Sequence, residues 1–117
     1  LNKINYFNLM KNSKYCISPF GWGEIAIRDF ECFVSGCVLI KPDMSHLETW
    51  PDFYIPNLTY IPFKWDLSDF SEKIDYCKNN NLSAVNIASE AQKIYKSHTC
   101  YINSGKIFVK KFKDLIT

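Results

Sequence analysis

An α/β fold, built on a parallel sheet with flanking helices, is what this chain of 117 residues predicts. Short apolar runs at residues 15–18, 37–40 and 58–61 alternate with stretches of helical period. The runs are apolar on both sides of the strand and end near Pro19, Pro42 and Pro62, as buried parallel strands do. Hydrophobic residues make up 47% and charged residues 22%, which suits one domain, residues 1–117, with a real core. Aromatics at 16% point to a core filled by Phe and Tyr.

The elements follow in order. Residues 4–14 set Ile4, Phe7 and Met10, with Leu9 beside them, on one face of a helix. Residues 15–18 are the first strand, and Gly21-Trp22-Gly23 is a turn able to bring backbone N–H groups close to a ligand. A helix is expected from Glu24 to Ser35, closed by Gly36, and largely buried through Ile25, Ile27, Phe30, Phe33 and Val34. Residues 37–40 form the second strand. Residues 44–48 form one helical turn, and residues 58–61 the third strand between Pro56 and Pro62. Asp66 or Ser68 caps a helix with Leu67, Phe70, Ile74 and Cys77 inward, ending in the Asn79–Asn81 triplet. Ser83 opens another helix, with Val85, Ile87, Ala88, Ala91, Ile94 and Tyr95 inward. A last helix runs from Thr99, weakened at Gly105. Together these give a Rossmann-like partial sheet, thin enough to suggest that it continues in sequence beyond this chain.

Chemistry concentrates after the first strand. In open α/β sheets ligands sit beyond the carboxyl ends of strands, against helix N-termini. The turn Phe20-Gly21-Trp22-Gly23 stands there, and its amides with the helix dipole favour an anion such as a diphosphate. Glu24, Arg28 and Glu31 stand at i, i+4 and i+7. Arg28 can pair with phosphate oxygens. Glu31, about 10 Å along the axis from Glu24, can accept from two ribose hydroxyls. The plainer reading is an ordinary Glu24–Arg28 helix ion pair. Lys41, Ser45 and His46 follow the second strand and face the same crevice. Trp22 can stack on a base or sugar ring.

The string from Ser18 to Asp43, with Gly21-Trp22-Gly23-Glu24, Arg28-Asp29-Phe30-Glu31 and Ser35-Gly36-Cys37, resembles the donor-binding motif of GT-B glycosyltransferases. Its nearest likeness is to bacterial group 1 and exostosin-like enzymes. The likeness continues through residues 44–50 and 60–66 and covers most of residues 15–95. It implies the C-terminal lobe of a GT-B fold, with Glu31 on the ribose, and with Arg28 and the glycine turn at the diphosphate. Glu24 and Arg28 are the catalytic candidates, and Phe20, Gly21, Trp22, Gly23, Glu31, Lys41, Ser45 and His46 hold the donor. Glu24 stands one residue nearer Glu31 than the family spacing. The substrate implied is a nucleotide-diphosphate sugar, with no tightly bound cofactor and no metal. A missing N-terminal lobe or subunit is the implied partner. An inactive interaction module and a nucleotide-sensing domain remain open beside it.

Other classes are disfavoured. A net charge of +2, with no basic run interleaved with aromatics, does not make a nucleic-acid surface. No apolar stretch reaches the roughly 20 residues that span a bilayer. The opening Leu1-Asn2-Lys3-Ile4 has neither an initiator Met nor the apolar core of a signal peptide, so the chain reads as a piece of a longer cytoplasmic protein. Five cysteines without a Cys-x-x-Cys pair, and two histidines, suggest reduced thiols rather than a disulfide framework or zinc site. Asn57 and Asn81 match the glycosylation sequon, a common chance match. Lys106, Lys110, Lys111 and Lys113 form a solvated helix face, or a contact for a membrane surface or acidic partner.

Overall fold

The computed structural model describes residues 2–100 and 102–117. Its centre is a three-stranded parallel sheet of β1 (Tyr15–Ile17), β2 (Val38–Pro42) and β3 (Ile61–Phe63), in that spatial order. Cys16 lies opposite Leu39, and Lys41 opposite Pro62. Around it stand α1 (Lys3–Lys11), α2 (Ile27–Ser35), α3 (Phe70–Asn79), α4 (Asn81–Thr99) and α5 (Ser104–Ile116). The parallel α/β expectation holds, including a central strand buried along its whole length.

Side-chain alternation along β2 divides the core. Leu39 joins Cys32, Phe33, Tyr54 and Tyr60 in one cluster. Val38 and Ile40 join Ile61, Phe63, Cys77, Ala84 and Ile87 in the other. The first cluster lies under α1, α2 and residues 43–60, and the second under α3 and the first half of α4. Ala91 and Tyr95, late in α4, reach the first cluster, so this helix serves both. The aromatic core appears as expected, with Phe30, Phe33, Phe53 and Tyr95 in mutual edge or tilted contact.

Several boundaries differ from the sequence reading. Helix α2 begins at Ile27, with Ala26 extended at the cap and Glu24 in the preceding loop. It is not mostly buried: Asp29, Cys32 and Phe33 are, while Ile25, Ile27 and Val34 face solvent. β3 begins three residues late, at Ile61, and carries Pro62 inside it, which an edge strand tolerates. Residues 44–48 form a single hydrogen-bonded turn rather than a helix, the Leu47 amide donating to the Met44 carbonyl at 3.0 Å, and an Asp43 carboxylate takes the amide and hydroxyl of Ser45 at 3.1 and 2.6 Å. Asp66 and Ser68 lie in a turn before α3, and Leu67 is exposed with φ 64°. Val85 on α4 points outward. Helix α5 starts at Ser104, so Gly105 falls in its first turn, where it weakens the helix least.

Candidate functional site at the carboxyl edge of the sheet

Because all three strands are parallel and α2 runs back between β1 and β2, the carboxyl ends of the strands and the N-terminus of α2 share one edge. One aromatic side chain arrives there from the loop after each strand. Phe20, His46 and Trp65 follow β1, β2 and β3. Phe20 meets Trp65 edge-on at 5.0 Å, and His46 meets Trp65 edge-on at 4.8 Å. The Trp65 indole donates to the Asp43 carbonyl at 2.9 Å, which fixes its ring. Glu24 reaches His46 at 3.5 Å, both side chains being part-exposed. Beside them opens a cavity of about 400 Å³ lined by Asp43, Ser45, Lys64, Trp65 and Lys73. Hydrogen bonds from Ser45 hold the Asp43 carboxyl below the usual carboxylate range.

The glycine turn is at the same edge. Trp22 is wholly exposed. The Gly21 amide is already spent on the Gly23 carbonyl at 3.2 Å. Neither Gly21 nor Gly23 has a positive φ, and a Cβ built on either would meet nothing within 4 Å. The fold itself therefore does not require glycine at either position. At the start of α2, Asp29 accepts from the Ala26 amide at 3.2 Å. The amides of Ile27 and Arg28 have no acceptor among the described residues, as first-turn amides generally lack one.

Arg28 and Glu31 point elsewhere. Tyr6 of α1 donates its hydroxyl to Glu31 at 2.7 Å, a bond that raises the phenol pKa. Arg28 lines a groove of about 290 Å³ with Tyr6, Met10, Cys16 and Ile17. Hydrogen bonding with Cys32, helped by the Arg28 charge and opposed by burial, brings the Cys16 thiol down to about 7. The expected stripe of Glu24, Arg28 and Glu31 on one helix is thus divided. Glu24 sits with His46 in the loops, and the other two flank α2 toward α1.

The buried charge lies between them. Asp29 and Lys41 are both fully buried and ion-paired at 3.1 Å. Ser18 donates to Asp29 at 2.6 Å and Tyr54 at 2.7 Å. Lys41, expected beyond the second strand and facing the crevice, instead lies within β2 and turns inward beneath Phe20, its ammonium 5.2 Å from the ring centroid. The position of Lys41 on the central strand explains this, since every residue of β2 is buried. Asp29 and Trp65 were not singled out as site residues. Trp65 carried one usable signal, its place just beyond a strand, like Phe20 and His46. Among the described residues no group of three or more His, Cys, Asp or Glu could hold a metal ion. Among the described residues no helix is long and apolar enough to cross a membrane.

No protein-family model and no solved structure matches the chain. Protein O-glucosyltransferase 2 of Danio rerio is 34% identical over 114 residues, 92% of this chain and 22% of that protein. Protein 179R of Invertebrate iridescent virus 6, described as uncharacterized, is 31% identical over 73% of this chain and 8% of its own length. Protein 035R of Invertebrate iridescent virus 3, described likewise, is 28% identical over 58% of this chain. The chain spans about a fifth or less of each of these relatives. The similarity is a distant link to a glycosyltransferase.

Proposed function

We propose that this chain is the donor-binding lobe of a glycosyltransferase, holding a nucleotide-diphosphate sugar whose sugar passes to an acceptor hydroxyl. The observation that carries the reading is the meeting of three post-strand loops with the start of α2, in a chain 34% identical over nearly its whole length to a protein O-glucosyltransferase. The diphosphate is assigned to the free amides of Ile27 and Arg28, with the exposed Arg28 side chain turning from its groove beside α1 to reach it when nucleotide binds. These groups offset the charge that gathers on the diphosphate as its bond to the sugar breaks. Glu31 takes the ribose hydroxyls through the carboxylate oxygen that Tyr6 leaves free. Phe20, His46 and Trp65 form a wall for the sugar or base, with the exposed Trp22 as a cover. Glu24, held against His46, faces the same space. The acceptor and its general base belong to a second lobe, so the isolated chain binds nucleotide without turnover.

Thermal-shift and NMR titrations against UDP, GDP, ADP and their sugar-linked forms test the reading. One nucleotide class should shift resonances of residues 20–31, and Glu31→Ala or Arg28→Ala should each weaken it at least tenfold. Arg28 is exposed, so its replacement should barely move the melting temperature, whereas Glu31→Ala also loses the Tyr6 hydrogen bond and should lower it by a few degrees, about 1 kcal/mol. Silence toward every nucleotide, or binding indifferent to both variants, would sink the assignment.

A further inference from the structure

Helix α5 touches the rest of the fold along one narrow edge. None of its residues is buried. Ile107 and Lys111 are half-buried on the inner side, Lys111 lying 5.8 Å from the Trp50 ring centroid. At 100° per residue, Leu115, Phe108, Phe112, Ile116 and Val109 form a continuous outer arc. Their exposures run from 49% at Val109 to 72% at Leu115, and the rings of Phe108 and Phe112 stack at 6.4 Å. Next on the same wheel stand Lys113, Lys106 and Lys110. The segment 104–117 carries four lysines against Asp114 alone, a net charge of +3. That aspartate is held by Lys110 at 3.1 Å, which leaves Lys106 and Lys113 without a carboxylate partner among the described residues.

We propose that α5 docks this protein on an anionic lipid surface, its apolar arc in the acyl boundary and its lysines among the headgroup phosphates. Thirteen residues make a helix of about 20 Å, too short to span a bilayer but long enough to lie in its interface. Charge complementarity selects this occupant. A second copy packed antiparallel would set lysine edge against lysine edge, and an acidic peptide would leave the five-residue apolar arc wet. Anionic headgroups satisfy both edges at once. The inference does not depend on the donor-site assignment.

Co-sedimentation of the 117-residue chain with vesicles tests it, using phosphatidylcholine alone and equal parts phosphatidylcholine and phosphatidylserine. Binding should be selective for the serine-containing vesicles and should fall away near 1 M salt, where the Debye length is about 3 Å. Replacing Lys106, Lys110 and Lys113 by Gln together should weaken it on the order of a hundredfold. Phe112→Ser with Leu115→Ser should abolish it, with the circular dichroism melt unchanged because both side chains are exposed. A wild-type chain left in the supernatant at low salt overturns the proposal. So does equal, salt-insensitive binding to both vesicles, or a dimer in sedimentation equilibrium that Phe112→Ser dissolves.

Discussion

Asp29 takes hydrogen bonds from Ser18 at the end of β1, from Ala26 at the cap of α2 and from Tyr54 in residues 43–60, and it pairs with Lys41 on β2. Four chain segments meet on two carboxylate oxygens. Burial and the bond to Asp29 push the Tyr54 phenol far above its ordinary range, so it stays a donor. Asp29→Ala strands a buried ammonium and should cost about 3–5 kcal/mol in urea unfolding. Adding Lys41→Met should recover most of that loss, and two fully additive losses would show the pair to be uncoupled. The network also sets the loop bearing Phe20, because Lys41 lies directly beneath that ring. The sequence marks charges around α2 as functional, but the buried one is Asp29, which no spacing pattern singles out. Glu24, Arg28 and Glu31 drew notice by their spacing. Burial depends instead on which side chain faces β2, and nothing in a single helix's pattern reveals its neighbour. Phe20, Glu24 and His46 were legible as a group because each follows a strand whose run and stop signals are plain.

At the scale of elements, α2 is the piece that positions the site, and both its ends are explained locally. Its start is set by Asp29, whose carboxylate reaches back to the Ala26 amide in place of a Ser or Thr cap. Its end is Gly36 at φ 77°, whose amide closes on the Cys32 carbonyl at 3.0 Å. A Cβ there would meet the Gln92 amide at 3.7 Å, an ordinary contact, so backbone strain alone decides the cost. Gly36→Ala should therefore destabilise by about 1 kcal/mol, and Gly36→Asn by less, measured as unfolding midpoints. Equal stability of all three would mean that the turn relaxes out of the left-handed region. Gly36 was readable from sequence as the end of this helix, whereas the start was read three residues early. Glu24 is a good helix former in an apolar setting, and the extended Ala26 leaves no mark in composition. The third strand was displaced for a similar reason. Pro62 reads as a stop signal, yet the open edge of β3 needs no amide from that residue.

The whole molecule is looser than its length requires. Its radius of gyration is 15.2 Å, against about 13 Å for a compact domain of this size. A sheet of only three strands and the projecting α5 account for the excess. The layered α/β plan is legible because short apolar runs bounded by turn signals stand among longer stretches of helical period, although no helix separates β2 from β3. The division of α4 between two clusters was not, since it needs the tertiary crossing of that helix over the sheet. One local feature acts on this scale. Gly21 and Gly23 do not need the left-handed φ that favours glycine, and there is empty space where a methyl would go. Each glycine enlarges the unfolded ensemble without easing the folded state, so the native chain sits below its attainable stability. Alanine at either position should raise unfolding free energy by about 0.4–1 kcal/mol, and a loss instead would expose a hidden constraint on the turn. The protein forgoes this margin at an exposed turn, which marks residues 21–23 as a place where rigidity and use are at odds.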